Sequence, residues 1–184
     1  AWVKRENTSG IAMIFSKYNG GVAGNYWFGI DSTGKPILSR EASPWGVTAT
    51  NPLPVNEWHH IAAIYDGSQT KIYVDGVLSN TSSAPLSINH NISNIKVNIG
   101  AGLANNSPAY LFKGELDEIR VWNVARTATQ IQQSFNSTLQ GNESGLIAYY
   151  PFNQGTDQAD NSTVTTLIDA TANANNGTLT NFAL

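Results

Sequence analysis

The stretch EWHHIAAIYDGSQTKIYVDGVLSN, Glu57 to Asn80, decides the fold class. Trp58 to Tyr65 is almost free of charge, and Lys71 to Val74 is rich in β-branched and aromatic residues, so both segments read as strands. Asp66-Gly67 closes the pair and Asp75-Gly76 releases it, each supplying the positive φ that a tight turn needs. A sheet-forming core hairpin follows.

Working outward, the flanking segments repeat the pattern of short strands between Gly, Asp and Asn turns. Ala1 to Lys4 reads as the end of a strand whose beginning is cut off, followed by strand candidates at Ile11 to Lys17, Tyr26 to Ile30, Pro36 to Ser39 and Ile95 to Ile99. Glu41 to Pro54, Ser79 to Asn91 and Ala104 to Pro108 read as loops. From Leu111 to Asn123 the alternation around Leu116, Ile119 and Val121 predicts one long strand. Thr127 followed by Gln130 is a capping-box pattern, and Ile131 with Phe135 gives a small apolar stripe, so one short helix is expected from Ala128 to Ser137. One helix among many short strands means an all-β sandwich or barrel.

Composition bounds the partners. A chain of 184 residues with 41% hydrophobic residues can bury one sizeable core. Charged residues make up only 12% and the net charge is -3, so no basic field draws nucleic acid or an anionic membrane. There are no cysteines, which removes disulfides and thiolate metal sites. No apolar run approaches the roughly 18 residues of a membrane-spanning helix. The first residue is Ala1, so a fragment or processed form is expected, with neighbouring domains in a longer chain. The abundance of Asn, Thr, Ser and Gly is an association with exported modules, and an extracellular or cell-surface location is the expectation.

The succession AWVK, NEWHHIAAIYDGSQTKIYVDG and GELDEIRVWNVARTATQI resembles the laminin-G-like family of concanavalin A-like jelly rolls over roughly residues 1 to 135. The resemblance implies an antiparallel β-sandwich, ligand sites on the concave face or the loop rim, and in the wider superfamily a calcium ion. Residues 1–144 are then the laminin-G-like sandwich. Gly145 to Asn153 and Asp169 to Leu179 look like the segment that usually opens such a domain, yet they stand at the end. Either they begin a following repeat or they fold back onto this sandwich. Because Leu146 to Phe152 is too apolar to sit in water, residues 145–184 are expected to complete the same sandwich.

The resemblance also directs attention to Asp117. LDEIRVW matches a strand whose Asp commonly ligates calcium in that superfamily, and Asp169 and Asn173 in the oxygen-rich DATANANNG stretch are the next metal candidates. The competing readings are an Asp117 paired with Arg120 or Lys113, and an ordinary Asx turn at Asp169. Glu115, Asp117 and Glu118 invite comparison with family-16 glycoside hydrolases of this fold. Paired-carboxylate hydrolysis would need a further acid at position 119 or 120, where Ile and Arg stand. Glu115 and Glu118 then read as a solvated strand face. His59 and His60 are adjacent, face opposite sides of a strand and make no pair. No Gly-x-Ser-x-Gly, His-Glu-x-x-His or phosphate-cradling loop occurs.

For ligand contact, Trp45, Tyr65, Tyr73 and Tyr110 offer flat faces on which sugar rings can stack. Cross-strand packing competes for Tyr65 and Tyr73. Trp45, in its Pro- and Gly-containing loop, is the leading candidate. The expected function is a non-catalytic carbohydrate-binding or adhesion module for a sugar or glycoprotein. A protein-binding or spacer module is the alternative, and a glycoside hydrolase the remote one.

Overall fold

The structure is a computed structural model that describes residues 1–6, 9–20, 25–40, 46–83, 94–156 and 159–180. Trp45 lies outside the described residues. The chain runs through β1 (Trp2–Arg5), β2 (Ala12–Lys17), β3 (Tyr26–Ile30), β4 (Pro36–Arg40) and β5 (Gly46–Thr48) to the hairpin β6 (Trp58–Tyr65) and β7 (Thr70–Val74). Then follow β8 (Val77–Ser82), β9 (Asn98–Ile99), β10 (Gly102–Ala104), β11 (Ser107–Ala109), β12 (Gly114–Asp117), β13 (Ile119–Trp122) and α1 (Ala128–Ser134). The last strands are β14 (Leu146–Tyr150), β15 (Thr166–Leu167) and β16 (Gly177–Thr178).

Both Asp-Gly turns form for stated reasons. Asp66 Oδ1 accepts the Ser68 and Gln69 N–H groups and the Ser68 hydroxyl, and these bonds hold its carboxyl below the usual range. Asp75 and Gly76 have φ of 49° and 77°, the two-residue pair whose twist suits a hairpin. The second turn therefore leads into β8, and the hairpin is the centre of a meander. β8 corrects the loop expected from Ser79 onward: its burial pattern is almost wholly exposed, as at a sheet edge, so no apolar alternation marks it. Likewise β5 lies inside the expected Glu41–Pro54 loop, and β10 and β11 pair across the expected Ala104–Pro108 loop.

Two five-stranded antiparallel sheets, ordered β12-β1-β6-β7-β8 and β5-β4-β3-β2-β9, build the sandwich. Val3, Ile14, Ile30, Leu53, Ile61, Ile119, Ala148, Tyr150 and Leu167 form the main core, continued by Leu38, Val47, Ala49 and Ile72. Helix α1 covers the other side of the first sheet, seating Ile131 on Ile64 and Tyr73. Its capping box is present in both directions, Thr127 Oγ1 accepting from Gln130 N and Gln130 Oε1 from Thr127 N.

The expected Leu111–Asn123 strand breaks at Glu118, which has φ 52°. Its first half, β12, pairs with β1, and its second half, β13, pairs with β14. The reason lies in the apolar spacing. Leu116 and Ile119 both pack on the core, and an odd separation cannot put two residues on one face of a continuous strand. Glu118 absorbs the offset in left-handed backbone, a conformation that costs a non-glycine residue about 1–2 kcal/mol.

Beyond α1, Tyr150 stands opposite Ile119, and Ala148, Tyr150 and Leu167 share the core with Val3 and Ile14. Asn173 and Asn175 each donate a side-chain N–H to Ile147 O, fastening the following turn onto β14.

Candidate functional site

Register on the first sheet sets out the site. Trp2 stands between Asp117 on β12 and His60 on β6, and Lys4 stands between Glu115 and Trp58. Val3 points into the core, so its neighbours Trp2 and Lys4, with their cross-strand partners, face away from it. On this outer face a cleft of about 350 Å³ is lined by Trp2, Trp58, Asp117, Glu118 and Arg120, with Asn136, Ser137, Thr138 and Asn153 at its rim.

The two indoles differ in freedom. Trp2 is fixed: its Nε1 donates to Phe135 O at 2.9 Å, and its ring meets His60 edge-on at 5.8 Å. His60 is buried beneath it, and that burial, with lesser help from nearby cations, pushes the imidazole down to about 2, so it is neutral. Trp58, by contrast, leaves 40% of its surface exposed.

One wall is a charge network centred on Arg120. Arg120 donates to Glu118 Oε2 at 2.6 Å, to Ser134 O at 2.7 Å and to Ser137 O. Glu118 Oε1 accepts the Tyr149 hydroxyl at 2.6 Å. Burial, reinforced by that bond, pushes Tyr149 up to about 12. Glu118 is buried, which corrects its reading as part of a solvated strand face, whereas Glu115 is exposed and pairs with Lys4 at 2.7 Å. The odd step at Glu118 turned its side chain inward toward Arg120. Asp117 is the carboxylate that this network leaves facing the cleft. Its Oδ1 accepts the Glu118 N–H at 2.8 Å, while burial, and secondarily the Glu118 charge, carry its carboxyl above the usual range. An exposed ring, a carboxylate and several amides and hydroxyls can stack on a polar ligand and hydrogen-bond its hydroxyl groups.

The other residues singled out from sequence lie elsewhere. Tyr65 donates to Gly67 O at 3.2 Å and packs its ring beside Leu38, Val47 and Ile72 inside the sandwich. Tyr73 is buried under α1 with Ile64 and Ile131, on the opposite side of the same sheet. Tyr110 meets Tyr18 edge-on at 5.7 Å, beside Met13 and Trp27 on the second sheet. The three tyrosines therefore form no common surface. Asp169 is buried and accepts from Tyr149 N, Thr171 N, Thr171 Oγ1 and Asn175 N. Burial works against its charge, but these bonds outweigh it and hold the carboxyl below the usual range. With four donors on Asp169, and Asn173 bound to Ile147 O, this pair braces the turn and offers little to a calcium ion that needs six to eight oxygens. Among the described residues no three His, Cys, Asp or Glu side chains group together. Of the candidates, Asp117 lines the cleft. Trp2, Trp58 and the 136–138 turn were missed because only cross-strand register brings them together.

Residues 1–132 match the family model described as the concanavalin A-like lectin/glucanases superfamily. No curated protein matches the chain. Among solved structures, a proposed carbohydrate binding protein from Bacteroides ovatus is 26% identical over 97% of this chain, with a TM-score of 0.74. This chain spans about half of that protein, 50% of its length. Domain 4 of an extracellular arabinanase from Geobacillus stearothermophilus, in complex with arabinotriose, is 24% identical over 73% of this chain and 64% of its own, with a TM-score of 0.57. A sialidase module from Ruminococcus gnavus, bound to α2,3-sialyllactose, is 16% identical over 73% of this chain and 79% of its own, with a TM-score of 0.59. At those identities the last two likenesses are likenesses of fold. With the two antiparallel sheets, the family match over residues 1–132 means that this chain belongs to the laminin-G-like part of the concanavalin A-like lectin/glucanases superfamily.

Proposed function

We propose that this chain is a non-catalytic carbohydrate-binding module of an extracellular multidomain protein, and that its sugar docks in the cleft between Trp58 and Asp117. The observation that carries this reading is the exposed Trp58 ring beside a carboxylate and a rim of amides and hydroxyls. A pyranose or furanose ring presents an apolar C–H face to the indole and hydroxyl donors to Asp117 and Asn136. The name of the Bacteroides ovatus protein, similar over nearly the whole chain, supports the same ligand class. Residues 145–184 belong to the same sandwich in this reading, because β14 supplies core residues and the only strand that pairs with β13 among the described residues. Hydrolysis lacks support: Ile119, where a second acid would be needed, is 2% exposed and part of the core.

The test is a glycan array probed with the 184-residue chain, followed by calorimetric titration of any hit. Saturable binding that Trp58→Ala weakens about tenfold or more, the scale of one lost aromatic anchor, supports the site. Binding that Trp58→Ala leaves intact places the sugar elsewhere, and no binding to any glycan moves the assignment to a protein-binding or spacer module.

A further inference from the structure

The cleft on the outer face of the first sheet presents uncommitted charge of one sign. Of its lining residues only Asp117, Glu118 and Arg120 are charged. Arg120, the sole cation among them, has little left to offer an incoming anion. Its Nη2 donates to Glu118 Oε2 and to Ser137 O, its Nη1 donates to Ser134 O, its Nε is buried, and its side chain is only 6% exposed. A guanidinium grips a carboxylate through two parallel N–H groups, and here its N–H groups are turned to Glu118 and two carbonyls. Glu118 spends both oxygens as well, one on Arg120 and one on the Tyr149 hydroxyl. Lys4, across the ladder from Trp58, lies outside the lining and holds Glu115 Oε1 at 2.7 Å.

Asp117 is the exception. Glu118 N occupies its Oδ1 at 2.8 Å, and no donor among the described residues holds its Oδ2. The side chain is half-buried, where solvent and salt screen a charge less than on the open surface. The same burial that carries its carboxyl above the usual range makes a second negative charge beside it costly.

We infer that the cleft selects an uncharged sugar and rejects one that carries a carboxylate or a sulfate. This rests on the site proposed above and adds the class of its ligand. A neutral ring donates a hydroxyl to Asp117 Oδ2 while its C–H face covers the Trp58 indole. A uronic or sialic acid on the same contacts brings a like charge toward Asp117 and finds no uncommitted cation in the lining to answer it. Such repulsion is the excluding half of specificity.

The experiment is an array of matched pairs, each neutral oligosaccharide beside its uronic-acid counterpart and lactose beside 3′-sialyllactose, probed with the 184-residue chain at pH 7 and low salt. Every pair with a hit is then titrated by calorimetry against the parent, Trp58→Ala and Asp117→Asn. The neutral member is expected to bind at least about tenfold more tightly than the acidic one, the scale of a like-charge contact in a partly desolvated site. In Asp117→Asn that ratio should shrink to about threefold or less, because the repelling charge is gone. An acidic member bound as tightly as its neutral partner overturns the inference. So does a ratio that Asp117→Asn leaves unchanged, which would mean exclusion by shape. Trp58→Ala separates this failure from failure of the site: neutral binding that it leaves intact lies outside the cleft, and the inference falls with the site.

Discussion

The Tyr149 hydroxyl donates to Glu118 Oε1 at 2.6 Å, joining β14 to the point where the β12–β13 segment breaks. Glu118 holds Arg120 with its other oxygen, and Arg120 in turn holds the carbonyls of Ser134 and Ser137 just past the helix. One buried carboxylate thus fixes the strand break, strand β14 and the rim of the cleft.

Tyr149→Phe removes a buried donor and is expected to lower stability by about 1–3 kcal/mol. Glu118→Leu leaves the Arg120 charge buried and costs about 3–5 kcal/mol, while Glu118→Leu with Arg120→Leu costs less than the two single changes added together. Denaturant titration of the four proteins checks this. Strict additivity would mean that the pair is not coupled.

His60 predicts an acid-sensitive fold. Its folded value, about 2, lies below the ordinary 6.5, so the unfolded chain binds the proton first. The stability it contributes is complete above about 6.5 and falls as pH drops below that value, by at most about 1.4 kcal/mol per pH unit. Stability measured from pH 7 to 5 should fall more steeply in the parent chain than in His60→Leu. Parallel curves would show that His60 is not the group responsible.

Asp169 predicts a second, more acidic window. Its folded carboxyl lies below the ordinary value of 3.8, so its stabilisation is present above that value and is lost as pH falls through the depressed one. Asp169→Asn loses acceptor capacity toward four donors and should cost about 1–3 kcal/mol at pH 7. The gap between the two proteins, read by thermal melting, should narrow below pH 3.8. A gap that persists would assign the cost to packing.

Gly76 tests the turn that carries β8. It has φ 77°, and a Cβ there would meet the Phe135 ring at 2.9 Å. Gly76→Ala should therefore destabilise by about 1–3 kcal/mol through backbone strain and displacement of Phe135, and with it Trp2. If melting is unchanged, the turn and the end of the helix are more adaptable than this geometry implies.

In the cleft, Trp58→Ala and Asp117→Asn should leave the melting temperature within about 2 °C of the parent, since neither holds the core. Calorimetry on a glycan found by array should show both weakened. Equal affinity in both variants would remove the cleft from consideration.

The hairpin around β6 and β7, both Asp-Gly turns and the capping box of α1 could be read directly, because each is a local preference written in consecutive residues. β8 could not, because an exposed edge strand carries polar residues on both faces. The break at Glu118 was present in the odd spacing from Leu116 to Ile119, but it became visible only when both were seen packed on one core. Trp45 was chosen for its loop setting and lies outside the described residues, whereas the exposed indole that faces the cleft, Trp58, sits inside a strand taken as core.

The sequence by itself determined the all-β class, the family, the central hairpin and the one helix, since turns, caps and alternation act over a few residues. Tertiary structure decided which side chains meet. Trp2 of β1, Trp58 of β6, Asp117 of β12 and the turn after α1 share a cleft because cross-strand register and the Glu118 offset place them there. Such distances are set by hydrogen-bond ladders and core packing between segments far apart in the chain, and no local pattern encodes them.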